Sequence, residues 1–354
     1  MNASPLPHPA EWQETEGLLP PTERDLPAGR HQFHKERLMA QIHDEHRTTA
    51  PTGPHKPRNR FLRPAIVWPV AACALAGAIV AGGVLTGRGA DTGHGVATGP
   101  VLTTDIGTAS ASGTTRLLDR ISLAAGQAPT PQVRDDQYIY IESTTADTYV
   151  KTVDDKHSVV SEKPHRRQVW ESPDGKQGWL IEPGNTPDGG ETLNSPYAAA
   201  GAYNDLVTLP TDPDALLKRF YEESKGQGNS PDQAAFEMIG DLIGESYPPA
   251  GLEAALYKAA AKIPGVVTVN DAVDAVGRHG VAVARLDEVS GERTEWIFDK
   301  KTYTFLGERR VQVQRGENSN PEDLLIKPGT ITFTSAITTR AVVDNAKETP
   351  SRTS

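Results

Sequence analysis

PAIVWPVAACALAGAIVAGGVLTG, residues 64–87, carries no ionisable side chain other than Cys73. As a helix rising ~1.5 Å per residue it extends ~36 Å, against a hydrocarbon core of ~30 Å. Buried core helices are usually shorter and carry polar positions. Lipid also demands a backbone that satisfies its own hydrogen bonds, as a continuous helix does. The stretch therefore predicts a transmembrane helix over 64–87, with Trp68 suited to the headgroup level and Pro69 removing one backbone donor near its start. A secretory signal peptide begins within the first few residues, whereas about sixty precede this run. Val70-Ala71-Ala72-Cys73 is a permissible pattern for lipid attachment, but a lipobox cysteine follows its apolar region, and here that region continues to Leu85. Ala74, Ala78 and Gly82 lie four apart and leave one face smooth enough for a helix–helix dimer, a spacing that alanine-rich spans also produce by chance.

Charge on either side sets the orientation. Arg47, Lys56, Arg58, Arg60 and Arg63 precede the run with no acid between them, and only Arg88 and Asp91 follow it before Asp105. Basic flanks stay in the cytoplasm, so the expectation is a cell-membrane protein with a single span, N-terminus cytoplasmic and C-terminus extracytoplasmic.

Residues 1–63 read as a short cytoplasmic arm. Pro5, Pro7, Pro9, Pro20, Pro21 and Pro27 interrupt its first thirty residues, which predicts mostly disordered chain. RHQFHKERLMAQIHDEH, 30–46, predicts a short, weakly amphipathic helix with Phe33, Leu38 and Ile42 on one side. Such a helix needs a partner surface to persist in water, so these three residues are the candidate partner-binding positions. The basic stretch 56–63 suits anionic lipid. His31 and His34, like His43 and His46, are spaced for a shared helix face, but nothing completes a metal site, and no metal or cofactor is expected.

Beyond the span, residues 88–113 are rich in Gly, Ala, Ser and Thr and predict a flexible stalk. Residues 114–346 predict an extracytoplasmic α+β domain, followed by a tail at 347–354. A helix over 114–126 carries Leu117, Leu118 and Ile121. Tyr138-Ile139-Tyr140-Ile141 then alternates as a strand does, and Arg166–Ser172, Pro173-Asp174-Gly175 and Gly178–Glu182 read as a hairpin. Three helices follow, starting at Asp212-Pro213, Pro231 and Pro249. Strands resume at Val266–Val269, Val281–Arg285, Thr294–Asp299, Tyr303–Leu306, Arg309–Gln314 and Thr330–Val343. Strands interrupted by one helical block predict a mainly antiparallel, curved sheet clasping helices.

Composition narrows the function. A net charge of −10 argues against nonspecific binding to nucleic acid, and the single cysteine rules out an internal disulfide framework and a Cys-based zinc site. The chain lacks a G-x-S-x-G elbow, a phosphate-binding glycine loop, H-E-x-x-H and an EF-hand loop. His94, His157, His165 and His279 share no spacing. One segment gathers polar chemistry: Asp274-Ala275-Val276-Gly277-Arg278-His279-Gly280 between two strands. Asp274, Arg278 and His279 could bind an anion or move protons, although such loops more often use Asp and Arg to fix a turn.

Several segments taken together resemble one family. LPAGRHQFHKERLM (26–39), VRDDQYIYIES (133–143), IPGVVTVNDAVDAVGRHGVAVA (263–284), FDKKTYTFLGERRV (298–311) and TSAITTRAVVDNA (334–346) are similar to actinobacterial single-pass membrane proteins of uncharacterised function, often encoded beside an extracytoplasmic-function sigma factor. The resemblance implies an inner arm, one span, an outer domain and a part in sigma-factor control. It supplies no catalytic residues, and the arm lacks the His-x3-Cys-x2-Cys pattern of zinc-binding anti-sigma domains. The expectation is a sensor or binding protein, not an enzyme, whose arm contacts a cytoplasmic partner such as a sigma factor. The alternative is an envelope lipid or cell-wall ligand-binding module with a purely anchoring arm. An envelope hydrolase built on Asp274, Arg278 or His279 ranks last, since no catalytic motif accompanies them.

Overall fold

Proline and capping residues place the helices, and period-two alternation places the strands. A computed structural model describes residues 96–153, 156–199, 201–317 and 323–350. The 64–87 run, the arm with Phe33, Leu38 and Ile42, and the Ala74, Ala78 and Gly82 face lie outside the described residues. Among the described residues no helix is long and apolar enough to cross a membrane. In chain order the elements are β1 (Thr98–Gly99), β2 (Ala109–Ser110), α1 (Thr114–Gly126), β3 (Tyr138–Val153), β4 (Lys156–Glu162), β5 (His165–Glu171), β6 (Gly178–Ile181) and β7 (Glu191–Thr192). A helical block follows: α2 (Tyr203–Leu206), α3 (Pro213–Glu223), α4 (Pro231–Glu245) and α5 (Ala250–Ala260). The remaining strands are β8 (Val266–Val273), β9 (His279–Asp287), β10 (Glu292–Phe298), β11 (Phe305–Gln312) and β12 (Ile331–Val343).

The fold is α+β, with a 12-stranded open sheet ordered β2-β8-β9-β10-β11-β12-β3-β5-β6-β7, while β4 pairs with β3 and β1 pairs with β4. Every ladder between these strands is antiparallel. Helix starts follow local chemistry. Asp212 accepts from the Ala215 amide (2.9 Å) and Ser230 from the Gln233 amide (3.1 Å), each followed by a proline whose missing N–H costs nothing there. Leu216 and Phe220 of α3, Phe236 and Ile239 of α4 and Leu252 and Leu256 of α5 bury against Trp296, Phe298 and Phe305 of the sheet. Trp296 lies flat on Phe236, centroids 3.8 Å apart and planes 3° from parallel. That stack is possible because α4 has Gly240 there: a Cβ would sit 2.6 Å from the indole nitrogen.

The structure corrects several expected boundaries. A single strand, β11, replaces the two expected at 303–306 and 309–314. Gly307 between them is no turn: a Cβ there would lie 2.1 Å from the Ser335 carbonyl oxygen, so glycine serves the close approach of β12. β3 runs on to Val153 because, past the end of its β12 ladder at Asp147, residues Thr148–Val153 still pair with β4. Residues expected in the stalk pair with the sheet at Thr98–Gly99 and Ala109–Ser110, and the Leu102 amide donates to Ser161 Oγ (2.7 Å). Small side chains bury little, but their backbone groups still pair. In the expected tail, the Glu348 carbonyl accepts from Trp170 Nε1 (2.6 Å), and the Lys347 ammonium sits 3.5 Å from the Trp179 ring centre.

Candidate functional site

Cross-strand partners share a face of a sheet, so the Trp296–Phe236 stack identifies the face that meets the helices. Trp296 pairs with Glu308, Thr294 with Arg310, Arg310 with Phe333, Ser335 with Thr145 and Ser143 with Arg167. The helix-side face is thus apolar under α3 to α5 and polar along the ends of β10, β11, β12, β3 and β5. Over this polar half runs α4, with Glu237, Asp241 and Glu245 four residues apart on one side of the helix. Arg167 on Glu245 and Arg340 on the Ile243 carbonyl join α4 to this polar half of the sheet in a direct contact.

At one end of this contact Arg167 Nη1 donates to Glu245 Oε2 (3.0 Å), and its Nε lies 3.6 Å from Glu182 Oε2. His165 Nε2 lies 2.8 Å from Glu182 Oε1. Burial pulls the imidazole pKa down, but the Glu182 carboxylate and the Lys163 carbonyl outweigh it and raise the pKa. Burial pushes Glu182 up, yet His165 and Arg167 together hold it below the usual carboxylate range. Glu171, two positions along β5 from Val169, is pushed up to about 8 by burial, with Glu245 and Asp174 adding like charge. At the other end Arg310 Nε donates to Glu308 Oε1 (3.1 Å) and the Thr332 hydroxyl donates to Glu292. Burial drives Glu308, Glu292 and Asp241 upward, with Arg310 opposing in each case. Burial also penalises the Arg310 charge, but Glu308, Glu292, Glu237 and Asp241 prevail and raise its pKa.

The opposite face of the sheet holds a different polar group. Glu295 Oε1 accepts from Arg293 Nε (2.7 Å) and its Oε2 from Arg309 Nε (2.8 Å), and the Arg293 guanidinium also reaches the Ile106 carbonyl. The glutamate is fully buried and both arginines nearly so. Nothing there is open to a ligand, so we read this triad as structural. Near β5 and β6 a cavity of about 470 Å³ is lined by Asp135, Asp136, Gln137, Tyr138, Ser172, Asp174, Gln177 and Asn204. Among the described residues no group of three or more His, Cys, Asp or Glu is placed to hold a metal ion.

The loop singled out by sequence is the turn between β8 and β9. Asp274, its side chain fully buried, accepts from the amides of Val276 (3.1 Å) and Arg278 (2.9 Å) and from Arg278 Nε (2.6 Å). Arg278 also donates to the carbonyls of Leu306 (2.9 Å) and Ile337 (3.0 Å), fastening the β8–β9 turn to β11 and β12. His279 points elsewhere, 3.3 Å from the exposed Asp271 carboxylate, which also takes Lys300 (2.8 Å). Asp274 and Arg278 are thus brought together and His279 is not. Replacing Asp274 by alanine strands three donors and is expected to cost about 1–3 kcal/mol, whereas His279→Ala should stay within about 0.5 kcal/mol. Urea unfolding of the two variants checks this.

Sequence reading passed over this contact between α4 and the sheet. No local signal shows that Arg310 or Arg167 faces that helix. No protein-family model matches this chain, and no curated protein matches it at a significant level.

Proposed function

We propose that this chain is a non-enzymatic, single-pass protein of a bacterial cell membrane. Its outer domain, a curved sheet around a helical block, binds or senses an envelope ligand, and its cytoplasmic arm contacts a partner such as a sigma factor. The neutral run 64–87, with basic residues before it and a folded domain after it, supports the topology. The observation that carries the binding role is the polar cavity of about 470 Å³ near β5 and β6, lined by Asp135, Asp136, Gln137, Ser172, Asp174 and Asn204. A second reading keeps the outer domain as a ligand-binding module and gives the arm only an anchoring role. The polar cavity of about 470 Å³ favours a cell-wall ligand over a lipid in that case.

Two measurements test the proposal. A reporter fused after Ser354 that works only outside the cytoplasm is expected to be active; activity confined to a cytoplasmic reporter overturns the topology. Crosslinking the full chain in membranes should capture a sigma factor, and scrambling residues 30–46 should abolish the capture. Equal capture with the scrambled arm removes the regulatory half and leaves the anchored module.

A further inference from the structure

One face of the sheet carries a row of aromatic side chains that the chain itself covers. Ala341, Tyr140, Trp170 and Trp179 are successive cross-strand partners on β12, β3, β5 and β6, so they share a face. Their neighbours Ile139 and Ile141 pack on Tyr203 of α2, which puts the row on the side of the sheet away from that helix. Tyr140 and Trp170 have ring centres 5.0 Å apart, and Tyr138 and Ile181 extend the patch. Over this row folds the segment after β12. Asp344 anchors it by accepting from Gln137 Nε2 (2.8 Å) and Arg134 Nη2 (3.1 Å). Residues 345–348 then form a turn, with the Glu348 amide donating to the Asn345 carbonyl (3.2 Å). Glu348 Oε2 accepts in return from the Asn345 amide (3.1 Å) and Nδ2 (3.2 Å). Lys347 sits in that turn at φ 69°, left-handed backbone that is costly for a residue with a Cβ and usually given to glycine. The strained residue is the one whose ammonium reaches Trp179, 3.5 Å from the ring centre, and the carbonyl of the next residue takes the Trp170 N–H (2.6 Å). None of residues 344–350 is buried, yet Trp170 beneath them is only 1 % exposed. The strap adds no core of its own; it occupies one face of the sheet.

We propose that this aromatic face is a binding site for a short peptide carrying a side-chain ammonium, and that residues 345–348 occupy it in cis. Lys347 stands where the ligand's ammonium sits on Trp179, and the Glu348 carbonyl stands in for the ligand's next backbone acceptor, met by Trp170. Recognition then takes one cation and one carbonyl at a fixed spacing, as a lysine-type residue and its successor supply. Attraction between a cation and the indole face selects the charge. The Trp170 N–H selects a carbonyl, because a covered donor left without a partner is costly. A ligand enters by displacing a strap that is polar, exposed and strained, so the tethered contact sets the concentration at which binding begins. The site adjoins the cavity of about 470 Å³ through Tyr138, but it goes beyond the binding role given to that cavity and does not rest on it.

The probe is the acetylated and amidated peptide Asn-Ala-Lys-Glu-Thr-Pro, the sequence of residues 345–350. It is titrated onto the full chain in nanodiscs while the indole N–H resonances of Trp170 and Trp179 are followed. Lys347→Met keeps the length of the side chain and removes its charge. That variant is expected to bind the probe at least about fivefold more tightly than the wild-type chain, because its own turn competes less well. Lys347→Arg keeps a cation on the ring and should bind the probe as the wild type does. A probe with norleucine in place of lysine should bind Lys347→Met at least about fivefold more weakly than the lysine probe. Residue 347 is exposed, so neither variant endangers the fold. Equal affinity of wild type and Lys347→Met overturns the proposal, as does a Lys347→Arg chain as open as Lys347→Met. So does a norleucine probe that binds as well as the lysine one, or indole resonances that stay still throughout the titration of Lys347→Met. The variants touch neither the cavity lining nor the arm, so such a failure leaves the cavity and the sigma-factor contact standing. Failure of those two readings leaves this site standing in turn.

Discussion

Glu295→Gln is expected to lower the stability of the outer domain by about 3–5 kcal/mol. The glutamate accepts from both Arg293 and Arg309 at 2.7–2.8 Å, and all three residues are at most 4 % exposed. Glutamine preserves the volume but removes the charge. It leaves two guanidiniums in the interior, and its amide must present a donor to one of them. Arg293 retains the Ile106 carbonyl and Arg309 keeps Thr104 Oγ1 (3.3 Å), which soften the loss without neutralising either charge. The damage should reach the first strands, since residues 104–106 lie over the triad. Urea unfolding followed by far-UV circular dichroism measures it, and a loss below about 1 kcal/mol would show that water reaches these arginines.

Trp296→Ala should cost a comparable 3–5 kcal/mol through the cavity it leaves under α4. The ring is fully buried, stacked on Phe236 and pressed against the backbone at Gly240. Its N–H has no hydrogen-bond partner among the described residues, so the indole pays for its shape with an unsatisfied donor. Trp296→Phe removes that donor together with part of the area and should cost under about 1.5 kcal/mol. Gly240→Ala pushes a methyl group to within 2.6 Å of the same nitrogen. Its penalty should shrink when combined with Trp296→Phe, and strictly additive effects in that double-mutant cycle would mean the helix and the ring do not press on each other.

These two sites also mark where sequence reading stopped. The chemistry of the turn after β10 is local: Asp299 Oδ1 accepts from the amides of Lys301 and Thr302 two and three residues on. The Asp212 cap of α3 and the prolines that open α3 and α4 were readable because that chemistry is local too. The expected strands Tyr303–Leu306 and Arg309–Gln314 merge into one because Gly307 serves a close contact with the Ser335 backbone, on a strand 28 residues away. Residues 98–110 were taken for stalk because they bury little, while the ladders that hold them belong to β4 and β8. His165 was one histidine among several until β5 and β6 brought it to Glu182. The Asp274 loop drew notice for its composition, and the geometry uses that composition to fasten a turn.

By itself, then, the order of residues determined the alternation of strand and helix, where the α3 and α4 helices begin, the α+β class, and the neutral stretch on which the membrane proposal rests. Those properties depend on neighbours within a few positions, where backbone dihedrals, caps and hydrophobic period act. Tertiary structure alone decided which charges meet. Arg293 reaches a carbonyl 187 residues away, and α4 acquires Arg310 as its counter-charge only through the pairing of β11 in the sheet. Electrostatic energy in a protein interior depends on distance in space and on exclusion of water, and neither is written in the spacing along a chain.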